Sequence, residues 1–346
     1  MPNPSRSQKL VIGLDEAGYG PNLGPFCIGM SAWIVPQEVN ASELASILHP
    51  LFQNRPLDKT QSWIPLGDSK LLYKSQGSAA SLTIGLAALE SLAGLESPSA
   101  KKQSSRDLMI ESTLRRRAIA GDYSRVSKIA WYKCLAGRSD LFLNELPPSI
   151  AELTKRAEDL FDRHKIRLLA VSGRLIDEPE FNRLLQVHGN KSSLLSMVCF
   201  EWIAEELERW TQSEDRPLKS IEIFCDKHGG RNRYQTLLAH VFPECWFHID
   251  CESTDLSKYH GEWKGHPIQW QFTAKGDSLV PSSVASMIAK WNREAWMDRL
   301  NHFWQSHLED LSPTAGYPVD ALRFAQCIED VARRLKLERD QWWRKA

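Results

Sequence analysis

Residues 9–21 read KLVIGLDEAGYGP, an apolar run that closes on two adjacent carboxylates and then enters a glycine-rich turn, AGYGPNLGP at 17–25. The run KLVIGLD (9–15) has the unbroken apolarity of a strand covered on both faces. Beyond the turn, FCIGMSAWIV (26–35) repeats that pattern, so the two segments are expected to pair as a hairpin with a long, structured corner. Charge seldom ends a buried strand without cause. Asp15 and Glu16 sit beside backbone that glycine frees to turn tightly. Held at a sheet edge, they can offer hard oxygen ligands to Mg²⁺ or Mn²⁺ and leave positions open for phosphate and water. Neighbours on a strand point to opposite faces. The pair can therefore converge only where the strand ends or bulges, and the turn is expected to end it there.

The same pattern recurs twice. SIEIFC (220–225) terminates in Asp226 before Lys227-His228-Gly229-Gly230, and the apolar segment 268–274 leads into Lys275-Gly276-Asp277. Three strand ends that bring acid to one sheet edge suit a two-metal phosphodiesterase, in which one ion activates water and the other steadies the leaving oxygen. The competing reading makes each acid a helix cap or a surface ion partner. It is the stronger reading for any one Asp after a strand, and the weaker one for the three taken together.

Outward from these strands, a short helix is expected at Ala41–Leu48, followed by loop and the segment LGDSKLL (66–72). Residues 76–165 look helical but irregular, with a Ser-rich joint at about 97–105. RLLAVS (167–172) reads as a strand and Glu180–Leu185 as a short helix. From 192 to 210, apolar residues at Leu195, Val198, Cys199, Trp202, Ile203, Leu207 and Trp210 give the spacing of one buried helical stripe. Residues 245–250 and 268–274 read as strands, and Val280 to about Leu308 and Asp320 to about Leu335 as amphipathic helices. The pattern predicts an α/β fold, a mixed sheet covered by helices.

Composition narrows the function less. Lys plus Arg and Asp plus Glu both number 43, so the net charge is zero and any basic surface must be local. Residues 101–133 hold nine basic side chains against three acids, next to Trp131 and Tyr132. That run can track phosphates beside stacking rings, or it can be a solvated helix face. Seven scattered Cys with no CxxC pair argue against a zinc knuckle and fit the reducing cytoplasm. No apolar run approaches the roughly 20 residues that span a bilayer, and MPNPSRSQK lacks the apolar core of a secretory signal.

Taken in order, these segments resemble the type 2 ribonuclease H family. GLDEAGYGP (13–21) is similar to the opening signature of ribonuclease HII, Asp-Glu followed by Gly-x-Gly-Pro. LGDSKLL is similar to the family's Asp-Ser-Lys segment. IFCDKHGG (223–230) and AKGDSLVPSSVASMIAK (274–290) are similar to the segments bearing its third and fourth acids, and Gly316-Tyr317-Pro318 to its late Gly-Tyr-Pro. Residues 167–210, with Phe181-Asn182, follow less closely. The resemblance implies a ribonuclease H-like catalytic domain formed by 1–75 and 166–346, with 76–165 a helical insertion of unknown role.

It further implies an endoribonuclease that cuts the RNA strand of an RNA–DNA hybrid or a ribonucleotide-containing duplex, leaving a 5′-phosphate and a 3′-hydroxyl. Asp15, Glu16, Asp226 and Asp277 become the catalytic acids and the ligands of Mg²⁺ or Mn²⁺. Asp15 would bridge two ions, Glu16 and Asp277 would complete one site and Asp226 the other. Gly18, Tyr19 and Gly20 could cradle a phosphate through their amides or serve only the turn. Lys70 and Lys290 could contact phosphate or stay solvated, and Ser286 could approach the substrate backbone or only pack. Tyr317 could sit by the ribose 2′-OH or be packed away. Tyr19 stands where the family has Arg. That departure removes a charged contact, bears on recognition of a single embedded ribonucleotide, and leaves longer hybrids as the expected substrate. Two rivals remain: a binding protein of this fold without turnover, and a nuclease of the same fold acting on DNA junctions.

Overall fold

The apolar run at 9–15 does form a doubly covered strand. In this computed structural model, which describes residues 7–74, 78–95, 106–133, 138, 140–143, 145–213, 218–274 and 279–345, β1 (Gln8–Ala17) is buried from Lys9 to Leu14. It lies inside a seven-stranded sheet with β2 (Phe26–Pro36), β5 (Arg167–Ile176), β6 (Leu218–Asp226), β7 (His248–Glu252), β8 (Leu256–Trp263) and β9 (His266–Thr273), in the order β5-β2-β1-β6-β9-β8-β7. β3 (Phe52–Gln53) and β4 (Ile64–Pro65) form a separate two-stranded pair. β5, β2 and β1 are antiparallel, β1, β6 and β9 parallel, and β9, β8 and β7 antiparallel again. This is the expected mixed sheet flanked by helices. Because the three central strands are parallel, their carboxyl ends reach one edge, where open α/β sheets place their ligands.

Strand alternation divides the interior in two. Leu10, Ile12 and Leu14 face a core completed by the helix Lys191–Ser213, whose predicted stripe from Leu195 to Trp210 is buried as expected. Val11, Trp33 and Val35 face the other core, shared with the helix Val280–Gln305 and with Ala80–Leu92, Arg106–Arg116 and Pro148–His164. The described part of 76–165 therefore packs into this second core. Its presence corrects one expectation: Val280–Gln305 is not amphipathic. Trp291, Trp296, Trp304, Asn292, Arg293 and Arg299 are all buried, Trp291 against Phe142, Trp296 against Tyr123 and Tyr132, Trp304 against Trp342 and Arg293 against the glycine turn. Asn292 Nδ2 donates to the Arg117 carbonyl at 2.9 Å and Trp291 Nε1 to the Leu141 carbonyl at 3.1 Å. Pro318–Arg334 does keep a two-sided character, burying Phe324 and Ile328 while Val319 and Leu322 are exposed.

Two glycines fix how closely the core helix lies on the sheet. A Cβ on Gly13 would come within 2.0 Å of the Pro281 carbonyl carbon, and one on Gly29 within 1.9 Å of the Ala285 oxygen. Ser31 Oγ donates to the Pro281 carbonyl at 2.8 Å, fastening the same helical turn.

β8 is not among the expected strands, although its two-residue turn to β9, Lys264-Gly265, has positive φ at both positions (49° and 82°), as tight hairpins favour. β7 starts three residues later than the expected strand at 245–250, because Cys245 and Phe247 are buried before it begins. The basic run does not present stacking rings. Trp131 and Tyr132 are buried, Arg117 pairs with Glu90, and Arg125 pairs with Asp122 and Asp177. The Ser-rich stretch at 97–105 falls outside the described residues. Among the described residues no helix is long and apolar enough to cross a membrane.

Candidate active site

The acids meet by a route other than the one expected. β1 does not stop at Asp15; it stays paired with β2 through Asp15↔Gly29, Glu16↔Ile28 and Ala17↔Cys27. Its pairing with β6 instead ends at Leu14↔Cys225. Asp15 and Asp226 are the next residues in that parallel register, so they stand side by side where the two strands part. By alternation both belong to the face of Val280–Gln305, and Glu16 to the opposite face. All three line one cleft of about 1040 Å³ at the carboxyl edge of the sheet. Asp277 falls outside the described residues, four positions beyond the end of β9 at Thr273.

Electrostatics tie these acids together. Burial, followed by the charges of Asp15 and then Asp226, pushes the Glu16 carboxyl well above the usual carboxylate range. Opposing them are the Glu16 backbone and, more weakly, Lys70. The Glu16 amide donates to Asp15 Oδ1 at 2.7 Å. Among the described residues no three His, Cys, Asp or Glu already form a ligand set. The donors present are hard carboxylate oxygens in one cleft, and the charges of Asp15 and Asp226 bear on Glu16. That combination fits Mg²⁺ or Mn²⁺, which Asp15, Glu16 and Asp226 would hold.

Gly18, Tyr19, Gly20, Lys70, Ser286, Lys290 and Tyr317 also line this cleft. Lys70 lies near the start of the helix Ser69–Lys74, where the Asp68 carboxylate accepts its amide at 2.8 Å. Ser286 is buried and shares a 2.9 Å hydrogen bond with Ser69, so it joins two helices at the cleft floor. Lys290 Nζ donates to Glu294 Oε1 at 2.6 Å rather than being left to solvent. Tyr317 is 59% exposed, which removes the packed alternative. Tyr19 packs edge-on against Phe26, and its phenol is raised by burial and by Glu16.

Gly18 has φ of 86°, so the turn itself requires it. Gly20 differs: its φ is not in the left-handed region, and a Cβ there would meet nothing within 4 Å. Of the loop after Asp226, Lys227 is structural, donating to Ser253, Asn232 and Ser257. His228 is pushed down to about 3 by burial and by Arg231, and so stays neutral.

Sequence reasoning missed the groups that brace the glycine turn. Arg293 donates to the carbonyls of Pro25 (2.7 Å) and Leu23 (2.8 Å), and the Asn22 amide to that of Gly316 (2.8 Å). Arg344, near the far end of the chain, is fully buried and donates to the Pro21 carbonyl, while its backbone exchanges bonds with Asn22. Glu178 accepts the Gly24 amide and the Tyr132 hydroxyl, each at 3.0 Å. No local sequence pattern marks contacts between residues hundreds of positions apart.

Glu178 makes this brace sensitive to pH. Burial, reinforced by Asp177, raises it to about 7 from an ordinary 4.5. The folded state then holds a proton that the unfolded chain releases, so stability falls as pH rises from 4.5 to 7. Glu178→Gln keeps an acceptor for Gly24 and is expected to remove this loss, up to about 3 kcal/mol. Denaturant titrations at several pH values measure it, and parallel curves for the two proteins would refute the assignment.

No family model and no curated protein matches this chain. Among solved structures it is similar to ribonuclease HII of Archaeoglobus fulgidus, from a complex with PCNA, at 12% identity and a TM-score of 0.39, over 97% of this chain and 93% of that one. It is also similar to ribonuclease H2 of Pyrococcus horikoshii OT3, at 15% identity and a TM-score of 0.38, over 96% and 92%. Identity and superposition this low say nothing about chemistry at the site.

Proposed function

We propose that the chain is a divalent-metal-dependent endonuclease that hydrolyses the RNA strand of RNA–DNA hybrids, working in the cytoplasm. The observation that carries this reading is the carboxylate cluster. Asp15, Asp226 and Glu16 share one cleft, where burial and then the charges of Asp15 and Asp226 hold Glu16 above its ordinary range. Ligands of hard cations crowd together in this way. Asp15, Glu16 and Asp226, with Asp277 as a fourth, would hold two ions, Mg²⁺ or Mn²⁺. Such ions supply an activated water and a counter-charge for the leaving oxygen.

The chain's own residues do the rest. Lys70 and Lys290 hold the phosphate that enters between them and the acids. Backbone amides of the turn at Gly18, Tyr19 and Gly20 cradle a second phosphate. The open space where Gly20 lacks a side chain supports this, since neither packing nor φ calls for glycine there. Ser286 positions Ser69 and the helix that carries Lys70. Tyr317, exposed at the cleft rim, meets the ribose and separates RNA from DNA by its 2′-OH.

The test is cleavage of three labelled duplexes: an RNA–DNA hybrid, a DNA duplex with one ribonucleotide, and plain DNA, each with Mg²⁺ and with Mn²⁺. Cutting of the hybrid and sparing of plain DNA is the expected result. A hybrid shifted on a gel but left intact would make the chain a binding protein, and cutting of plain DNA would make it a DNA nuclease.

A further inference from the structure

Past the carboxylates, the cleft is lined by Lys70, Tyr73, Arg138, Lys290 and Glu294. Tyr73 organises this wall. Its hydroxyl donates to Glu294 Oε2 at 2.6 Å and accepts from Arg138 Nη1 at 3.2 Å. Lys290 Nζ lies 4.5 Å from the centroid of the Tyr73 ring and the Arg138 guanidinium carbon 6.0 Å from it. Two cations therefore flank one ring in the same cleft as the acids. The second of them comes from the stretch 76–165, for which the sequence offered no role.

Arg138 is held in place rather than left to sample rotamers. Its Nε and Nη2 donate to the two oxygens of Asp140 at 3.1 and 2.7 Å, and its amide donates to Asp298 Oδ2 at 3.1 Å. Asp140 is anchored in turn, accepting the Ala79 amide at 2.6 Å and, through its carbonyl, the Thr83 hydroxyl at 2.8 Å, at the start of Ala80–Leu92. The Arg138 side chain is still 38% exposed. A guanidinium already oriented loses little conformational freedom on meeting a phosphate, and its permanent charge attracts one. The acids of this wall are engaged by the same network, Glu294 by Lys290 and Tyr73, Asp298 by the Arg138 amide.

We propose that Arg138 contacts a backbone phosphate of the bound duplex, adjacent to the one held by Lys290, so that the segment 76–165 forms part of the substrate grip. The proposal rests on the hybrid-binding reading of the cleft. It extends that reading to a residue outside every motif found in the sequence.

The test is equilibrium binding of a labelled RNA–DNA hybrid with Mg²⁺ present, in the full chain carrying Asp226→Asn, from 50 to 200 mM NaCl. A lost phosphate contact lowers the slope of log affinity against log salt by about one. Arg138→Gln is expected to show that change and to bind several-fold more weakly at 100 mM. Arg138→Met, which keeps the aliphatic stem, repeats the measurement should the Gln substitution destabilise the fold. Arg333→Gln, on an exposed turn of Pro318–Arg334, is expected to match the parent. If Arg138 is only structural, its variants melt earlier but keep the parent's slope, which overturns the proposal and leaves hybrid binding standing. A parent without salt-dependent affinity for the hybrid overturns both.

Discussion

Replacing Asp226 with Asn is expected to cut hybrid cleavage at least about 10³-fold, a loss of about 4 kcal/mol of barrier lowering, while the protein stays folded. Both halves follow from where the residue sits. Asp226 ends β6, its backbone paired with Thr273 of β9, and it is next in register to Asp15 where β1 and β6 separate. Asn preserves shape and backbone bonding but withdraws the charge that an ion requires. It also withdraws one of the charges that raise Glu16, so the metal-free variant is expected to melt no earlier than the wild type. Single-turnover cleavage and a thermal melt on one preparation give both results. Undiminished cleavage would take Asp226 out of the site.

The second large effect is on stability. Gly13→Ala is expected to cost about 3 kcal/mol, the upper end for overpacking, because the added carbon would meet backbone. The Pro281 carbonyl carbon would lie 2.0 Å away, its oxygen 2.2 Å and the Ser282 nitrogen 2.4 Å. A flexible side chain could swing aside, but the first turn of a buried helix cannot. To relieve the clash, Val280–Gln305 has to rise off the sheet, moving Ser286 and Lys290 with it. Activity is therefore expected to fall along with stability. Denaturant unfolding measures the loss, and a variant as stable as the wild type would show that the helix lies further from β1 than described.

These two positions mark how much could be read from residues alone. β1, β2, β6 and Lys191–Ser213 were legible because their partners are generic: an apolar run or stripe needs only some apolar surface opposite. That Asp15, Glu16 and Asp226 line one cleft was legible because the same pattern, an apolar run closing on charge, recurs along the chain. What brings Asp15 and Asp226 together, however, is the parting of two strands 200 residues apart in sequence, which no local pattern encodes. Burial of the helix carrying Trp291 and Trp296 depends on what covers it, so its periodicity misled. The same holds for Trp131 and Tyr132, whose place beside a basic run suggested a stacking platform but whose rings are core. Glu178 and Arg344 act through tertiary partners, and Arg138, though paired with nearby Asp140, meets Tyr73 of the cleft wall only through the fold.

If acids from separate strands gather to hold divalent ions, anomalous scattering from crystals grown with Mn²⁺ will locate those ions. Two ions are expected in the cleft, where Asp15, Glu16 and Asp226 would hold them. Manganese bound only elsewhere, or an Asp226 carboxylate turned away from Asp15 in crystals saturated with the ion, would contradict it.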